Sequence, residues 1–209
     1  MLLEKNTVEQ GATLAIWKIT ETVDELLEML DLDPFVIAEI AQFTSEKRKL
    51  EYLAVRVMLN EVLGTKKTIV YEPNGKPCIA DGSYQISITH TGQYAAIILH
   101  PTLRLGIDIE RIAERVVRVQ GKFLSARELA FVDTATAKTH LALMWSAKEA
   151  LYKIVQQTEI DFTQHFNIAP FTPYLSGTMS AQETKTAAAE RFELSYRVFP
   201  EFVLVWTVK

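Results

Sequence analysis

Hydrophobic and polar positions alternate in the strand manner over residues 84–90 (YQISITH), and the largely apolar runs 13–19 (TLAIWKI) and 93–99 (QYAAIIL) also read as strands, the last joined to 84–90 at Thr91-Gly92. Residues 103–109 (LRLGIDI) predict another strand, and 192–199 and 202–208 two more, with Pro200 in the turn between them. A helical period runs through 45–63, where Leu50, Leu53, Val57 and Leu63 share one face, Ser45 is placed to cap the start and Gly64 to end it. Shorter helices are predicted over 22–30 and over 34–42, opened by Pro34, and residues 111–132 and 138–156 read as mostly helical. Pro73-Asn74-Gly75 marks a turn, and 176–190, rich in Ser, Thr, Ala and Gly, reads as a mobile loop. Helices and antiparallel strands recur in each half. The expected architecture is therefore α+β, with two lobes dividing at 1–102 and 103–209, although no sequence repeat proves duplication.

Composition narrows the function without naming it. A chain of 209 residues that is 48% hydrophobic and 23% charged can bury an ordinary core, as one large domain or two small ones. The net charge of -4 argues against a general nucleic-acid binder. Cys78 is alone, so no intrachain disulfide is expected. The opening MLLEKNTVEQ does not read as a signal segment, and no stretch approaches the roughly 20 apolar residues of a membrane span. The expected location is cytoplasmic.

Four short stretches carry candidate chemistry. In Gly106-Ile107-Asp108-Ile109-Glu110, strand alternation puts Asp108 and Glu110 on one face, where a hard divalent cation would relieve their repulsion. A solvated strand edge with two acids fits the same pattern. In Trp145-Ser146-Ala147-Lys148-Glu149-Ala150-Leu151-Tyr152-Lys153, Glu149 and Lys153 share a helical face, the spacing of a chemical pair and equally of a common surface ion pair. Pro73-Asn74-Gly75-Lys76-Pro77 is a turn that could cradle phosphate or be a plain hairpin. Ser87-Ile88-Thr89-His90-Thr91-Gly92 ends a strand in hydroxyls and an imidazole, groups that hydrogen-bond phosphate or serve structure alone.

Each stretch is weak by itself, but their order is specific. Asn-Gly-Lys-Pro, then Thr-His-Thr-Gly, then Gly-Ile-Asp-Ile-Glu, then Trp-Ser-x-Lys-Glu-Ala-x-x-Lys, all within residues 73–153, resembles the 4′-phosphopantetheinyl transferases. The chain length resembles the larger, single-chain class typified by the surfactin-synthetase activator. The resemblance implies two pseudo-symmetric lobes, each with antiparallel strands packed against helices, and coenzyme A held between them. It implies transfer of 4′-phosphopantetheine from coenzyme A to a serine of an acyl or peptidyl carrier protein, releasing 3′,5′-ADP. Magnesium would be held by Asp108, Glu110 and Glu149, and manganese would suit the same oxygen ligands. Glu149 would also take the serine proton, directly or through water, and Lys153 would bind the pyrophosphate and stabilise the leaving group. Gly75, Lys76, Pro77, Thr89 and His90 are assigned to coenzyme A, with Arg48, Lys49 and Arg56 as candidates for its 3′-phosphate. Thr89 stands where relatives often carry serine and keeps the hydroxyl.

The same acids would also serve a magnesium-dependent hydrolase of nucleotide pyrophosphates, and a non-catalytic coenzyme-A-binding module is the third reading. The expected assembly is a monomer that binds neither nucleic acid nor membrane. Finally, Arg111, Arg115, Arg118 and Lys122 recur at helical spacing directly after Glu110. They read as a carrier-docking stripe or as a solvated helix face.

Overall fold

The computed structural model describes residues 1–209, which divide into two compact units, Met1–Thr102 and Leu103–Lys209. No helix is long and apolar enough to cross a membrane.

In the first unit, strands β1 (Leu2–Thr7), β2 (Thr13–Lys18), β5 (Gln85–Thr91) and β6 (Tyr94–His100) form an antiparallel sheet in the order β1-β2-β6-β5. Helices α1 (Val23–Met29) and α2 (Pro34–Ile40) lead into the long α3 (Glu46–Leu63), and a small hairpin of β3 (Ile69–Tyr71) and β4 (Pro77–Ile79) follows. Ser45 caps α3 by accepting the Arg48 amide, and Gly64 ends it at φ 65, a left-handed conformation that glycine adopts without steric cost. The apolar face of α3, including Leu53, Met58 and Leu59, is buried in one core with Trp17 and Ile97 of the sheet.

The second unit is also α+β. Strands β7 (Leu105–Arg111), β8 (Phe166–Ile168), β9 (Ser176–Glu183), β10 (Arg191–Val198) and β11 (Phe202–Val208) form an antiparallel sheet in the order β7-β11-β10-β9-β8. Between β7 and β8 lie α4 (Glu114–Val119), a 3₁₀ turn at Gln120–Lys122, α5 (Ala126–Leu129), the long α6 (Ala137–Val155) and α7 (Phe162–His165). Leu143, Met144, Ala147 and Leu151 of α6 share a core with Phe192 of β10 and Val205 of β11. The two units follow one plan. A strand leads to a long helix, and a late hairpin returns its neighbour to that strand: β2, α3, β5, β6 in one, with β6 beside β2, and β7, α6, β10, β11 in the other, with β11 beside β7.

Several elements differ from the expectations drawn from the sequence. Residues 176–190 are not all loop, because β9 occupies Ser176–Glu183 inside the sheet, with Met179, Ala181 and Glu183 buried at alternate positions. Residues 111–132 do not form one continuous helix. Arg111 ends β7, and Ser125 with Glu128 forms a reciprocal capping box that starts α5 afresh. The strands β1, β3, β4 and β8 were not foreseen. β1 is polar and largely exposed, and the other three are only three residues long.

Candidate functional site

The second unit brings Asp108, Glu110, Glu149 and Lys153 together where α6 crosses β7. The crossing is close because position 106 is glycine. A β-carbon there would lie 2.1 Å from the carbonyl oxygen of Ala150, in the middle of the helix. With the backbones in contact, the α6 residues spaced three and four apart, Ser146, Glu149, Ala150 and Lys153, lie over the face of β7 that carries Asp108 and Glu110.

Both oxygens of the buried Asp108 carboxylate are engaged. Ser146 donates its hydroxyl to Oδ2 at 2.8 Å, and Lys153 Nζ lies 3.0 Å from Oδ1. The same ammonium donates to the Ile107 carbonyl at 2.7 Å, which anchors it to the strand backbone. Glu110 accepts the Arg111 amide at 2.9 Å. Burial pushes its pKa upward, and the neighbouring Asp108 adds to that rise. Glu149 is pushed furthest. Burial, then the charge of Asp108, raise it from 4.5 to about 7, with Glu110 adding to the rise and Lys153 opposing it.

Glu110 and Glu149, both pushed upward in part by the charge of Asp108, form with it the donor chemistry of a hard divalent cation site, since such a cation would neutralise their repulsion. As the side chains stand, no three His, Cys, Asp or Glu residues are gathered around one point as a finished metal cluster. Magnesium commonly takes only one or two protein carboxylates and completes its octahedron with water and phosphate, so the set fits that ion.

A groove of about 760 Å³ opens beside Glu149. Trp145, Val119 and Phe162 give it apolar walls, and Arg115 and Lys122 bring positive charge to its lining. Arg111, Arg115, Arg118 and Lys122 are all exposed. They do not share one helix, because Arg111 belongs to β7, Arg115 and Arg118 to α4, and Lys122 to the 3₁₀ turn.

In the first unit, Arg48 and His90 come together: Arg48 Nη1 lies 3.1 Å from His90 Nε2. They meet over Glu51, a buried carboxylate that the sequence reading did not single out. Its Oε1 is 3.2 Å from His90 Nδ1 and 3.5 Å from Lys47 Nζ, and its Oε2 is 3.8 Å from Arg48 Nη1. A signal for it was present, since Lys47 and Arg48 precede it by four and three residues on α3. Thr89 is buried and, as the neighbour of the exposed His90 on β5, points to the opposite face. Arg56 is buried too. Its guanidinium stacks 3.3 Å over the Tyr52 ring and donates to the Tyr52 and Ile69 carbonyls, so it serves the core of the unit. The turn at Gly75 has φ 85, which suits glycine, and is closed by Gly75 N–H on Glu72 O and by Lys76 N–H on Asn74 Oδ1. Lys76 is half-buried, and Pro77 begins β4.

The remaining residues missed by the sequence reading, Ser146 and the pair Lys148–Glu128, lie in or beside the Trp-Ser-x-Lys-Glu stretch. Their roles depend on contacts with β7, α5 and β8, which no local spacing reveals.

Over 122 residues the chain is 30% identical to the 4′-phosphopantetheinyl transferase AcpT of Salmonella typhi, and to that of Salmonella typhimurium. The matched stretch is 56% of this chain and spans 64% of the length of each relative. Residues 104–206, which include the carboxylates, Lys153 and the groove, match the family model of the 4′-phosphopantetheinyl transferase superfamily.

Proposed function

We propose that the chain transfers 4′-phosphopantetheine from coenzyme A to a serine of an acyl or peptidyl carrier protein and releases 3′,5′-ADP. The observation that carries this reading is the set of Asp108, Glu110, Glu149 and Lys153 at the α6–β7 crossing, within the stretch similar to the superfamily. The shared plan of the two units in one chain supports the larger, single-chain class and a monomer, one catalytic unit built of two lobes. A cytoplasmic location suits those substrates.

The chemistry follows from charge. The serine oxygen attacks the phosphorus that carries the pantetheine arm, the bond to the bridging oxygen breaks, and 3′,5′-ADP leaves with the bond pair. Asp108, Glu110 and Glu149 would hold magnesium, which supplies positive charge to the pyrophosphate oxygens. Glu149 takes the serine proton, directly or through water, the role of a carboxylate base within reach of a weakly nucleophilic hydroxyl. Lys153, held by Asp108 and the Ile107 carbonyl, would offer its ammonium to the oxygens that gain charge, where a fixed cation acts most strongly. Gly75, Lys76, Pro77, Thr89 and His90 are assigned to coenzyme A, with Arg48 beside His90 for the 3′-phosphate; Arg56 remains in that set only as a support from within the core. Arg111, Arg115, Arg118 and Lys122 are assigned to steering the acidic carrier.

The test is incubation with coenzyme A, magnesium and a panel of apo carrier proteins, read by mass spectrometry. One carrier should gain the phosphopantetheine mass. Coenzyme A cleavage without any carrier would instead identify a pyrophosphate hydrolase, and binding with no turnover a non-catalytic module.

A further inference from the structure

Lys148 has no part in the reaction just described, yet its side chain is fully buried. Its three ammonium hydrogens meet three acceptors: the Phe123 carbonyl at 2.8 Å, the Phe162 carbonyl at 2.9 Å and Glu128 Oε2 at 2.8 Å. Glu128 uses its remaining capacity on the backbone. Oε2 also accepts the Ser125 amide and hydroxyl, both at 2.9 Å, and Oε1 accepts the Ile168 amide at 3.0 Å. One ion pair therefore ties α6 to chain segments on both sides of it. Those segments line the groove, with Lys122 from one and Phe162 and Thr163 from the other. Trp145 of α6 stands between them, edge-on to Phe123 at 4.9 Å and tilted against Phe162 at 6.1 Å.

Net stability is a poor reason for such a pair, because apolar residues of similar volume usually replace buried ion pairs without loss. An apolar pair cannot, however, hold two carbonyls and two amides in fixed places. We propose that Lys148 and Glu128 are positioning residues that set the two walls of the groove against α6, and so fix its width beside Glu149. The consequence for turnover rests on the transferase reading; the consequence for the walls does not.

The experiment compares Lys148→Met with the double variant Glu128→Leu/Lys148→Met, which replaces the pair by apolar groups and keeps the protein foldable if the single variant is not. Trp17 and Trp206 are only 1% and 5% exposed, so acrylamide quenching reports mainly on Trp145. The double variant should unfold cooperatively, yet show quenching raised about two-fold and amide exchange at Ser125 and Ile168 faster by about ten-fold. In transfer assays the KM for the apo carrier should rise by about ten-fold while that for coenzyme A stays within about two-fold. A folded double variant with unchanged quenching and exchange overturns the proposal. So does failure of both variants to fold, which would leave a purely structural role. Should the wild-type protein modify no carrier, the transferase reading falls with its kinetic arm, and quenching and exchange alone decide on the walls.

Discussion

Lys153 and Asp108 are 45 residues apart in sequence, and the ammonium of one lies 3.0 Å from Oδ1 of the other. The lysine is also fastened to the carbonyl of Ile107, so its position is set by the strand as much as by its own helix. Glutamate and lysine four apart on a helix commonly pair with each other. Here the lysine reaches past Glu149 to the strand. Lys153→Ala should therefore lower kcat by about 10²–10³-fold, with a stability loss of about 1 kcal/mol from the lost hydrogen bonds. Steady-state kinetics with a thermal melt check this, and a near-normal rate would reduce Lys153 to a structural brace.

Gly106→Ala tests the crossing itself. The added methyl would meet the Ala150 carbonyl at 2.1 Å, and a helix backbone cannot yield as a flexible side chain can. The expected outcome is a loss of roughly 1–3 kcal/mol in denaturant unfolding, together with weaker magnesium binding as α6 lifts from Asp108. Calorimetric titration of magnesium reads the second effect.

Glu149 gives the protein a signed response to pH. Its folded pKa is raised from 4.5 to about 7, so the fold favours the protonated form. Its contribution to stability is full below about 4.5 and is lost as pH rises toward and through about 7. Melts in chelator should show stability falling across that window, by about 2 kcal/mol or less after solvent screening. Glu149→Gln should flatten the fall, and magnesium should offset it most above pH 7. Parallel pH slopes for the two proteins would contradict the assignment.

Coenzyme A binding should depend on Lys76 and on the His90–Arg48 contact. Calorimetry on Lys76→Ala and His90→Ala is expected to show affinities lower by about ten-fold, the scale of one lost charge-assisted hydrogen bond. Unchanged affinity in both variants would remove the first unit's turn and strand end from the binding site.

Charge reversal at Arg118 and Lys122 to Glu should raise the carrier KM, more at low salt than at high, and leave coenzyme A affinity unaltered. Both side chains are exposed, so folding should be unaffected. A carrier KM that ignores the double reversal at every salt concentration would place docking elsewhere.

The fold was legible where periodicity was strong and illegible where local chemistry was mixed. The α3 face and the β5–β6 pair could be read directly from apolar spacing. β9 could not, because its inward positions are Met179, Ala181 and the carboxylate of Glu183. That glutamate is buried only because it accepts the amides of Thr186 and Glu190 and the Thr186 hydroxyl, closing the next loop. The same holds for the site. The shared face of Asp108 and Glu110 follows from strand geometry alone. That Ser146 would hold Asp108, or that Arg56 would be spent on the Tyr52 ring, depends on which elements pack together.

The sheet order of the second unit governs when its chemistry can exist. Within that sheet β7, the strand of Asp108 and Glu110, is hydrogen-bonded to β11 alone, and β11 is formed by Phe202–Val208. Pairing Arg111 with Phe202 and Leu105 with Val208 closes loops of roughly a hundred residues, a slow, non-local step in folding. On the ribosome, β7 waits for its partner while the whole of α6 is made. The acids can thus be locked in register only when β11 has emerged, and a nascent chain that stalls before residue 202 carries the motifs without an organised site.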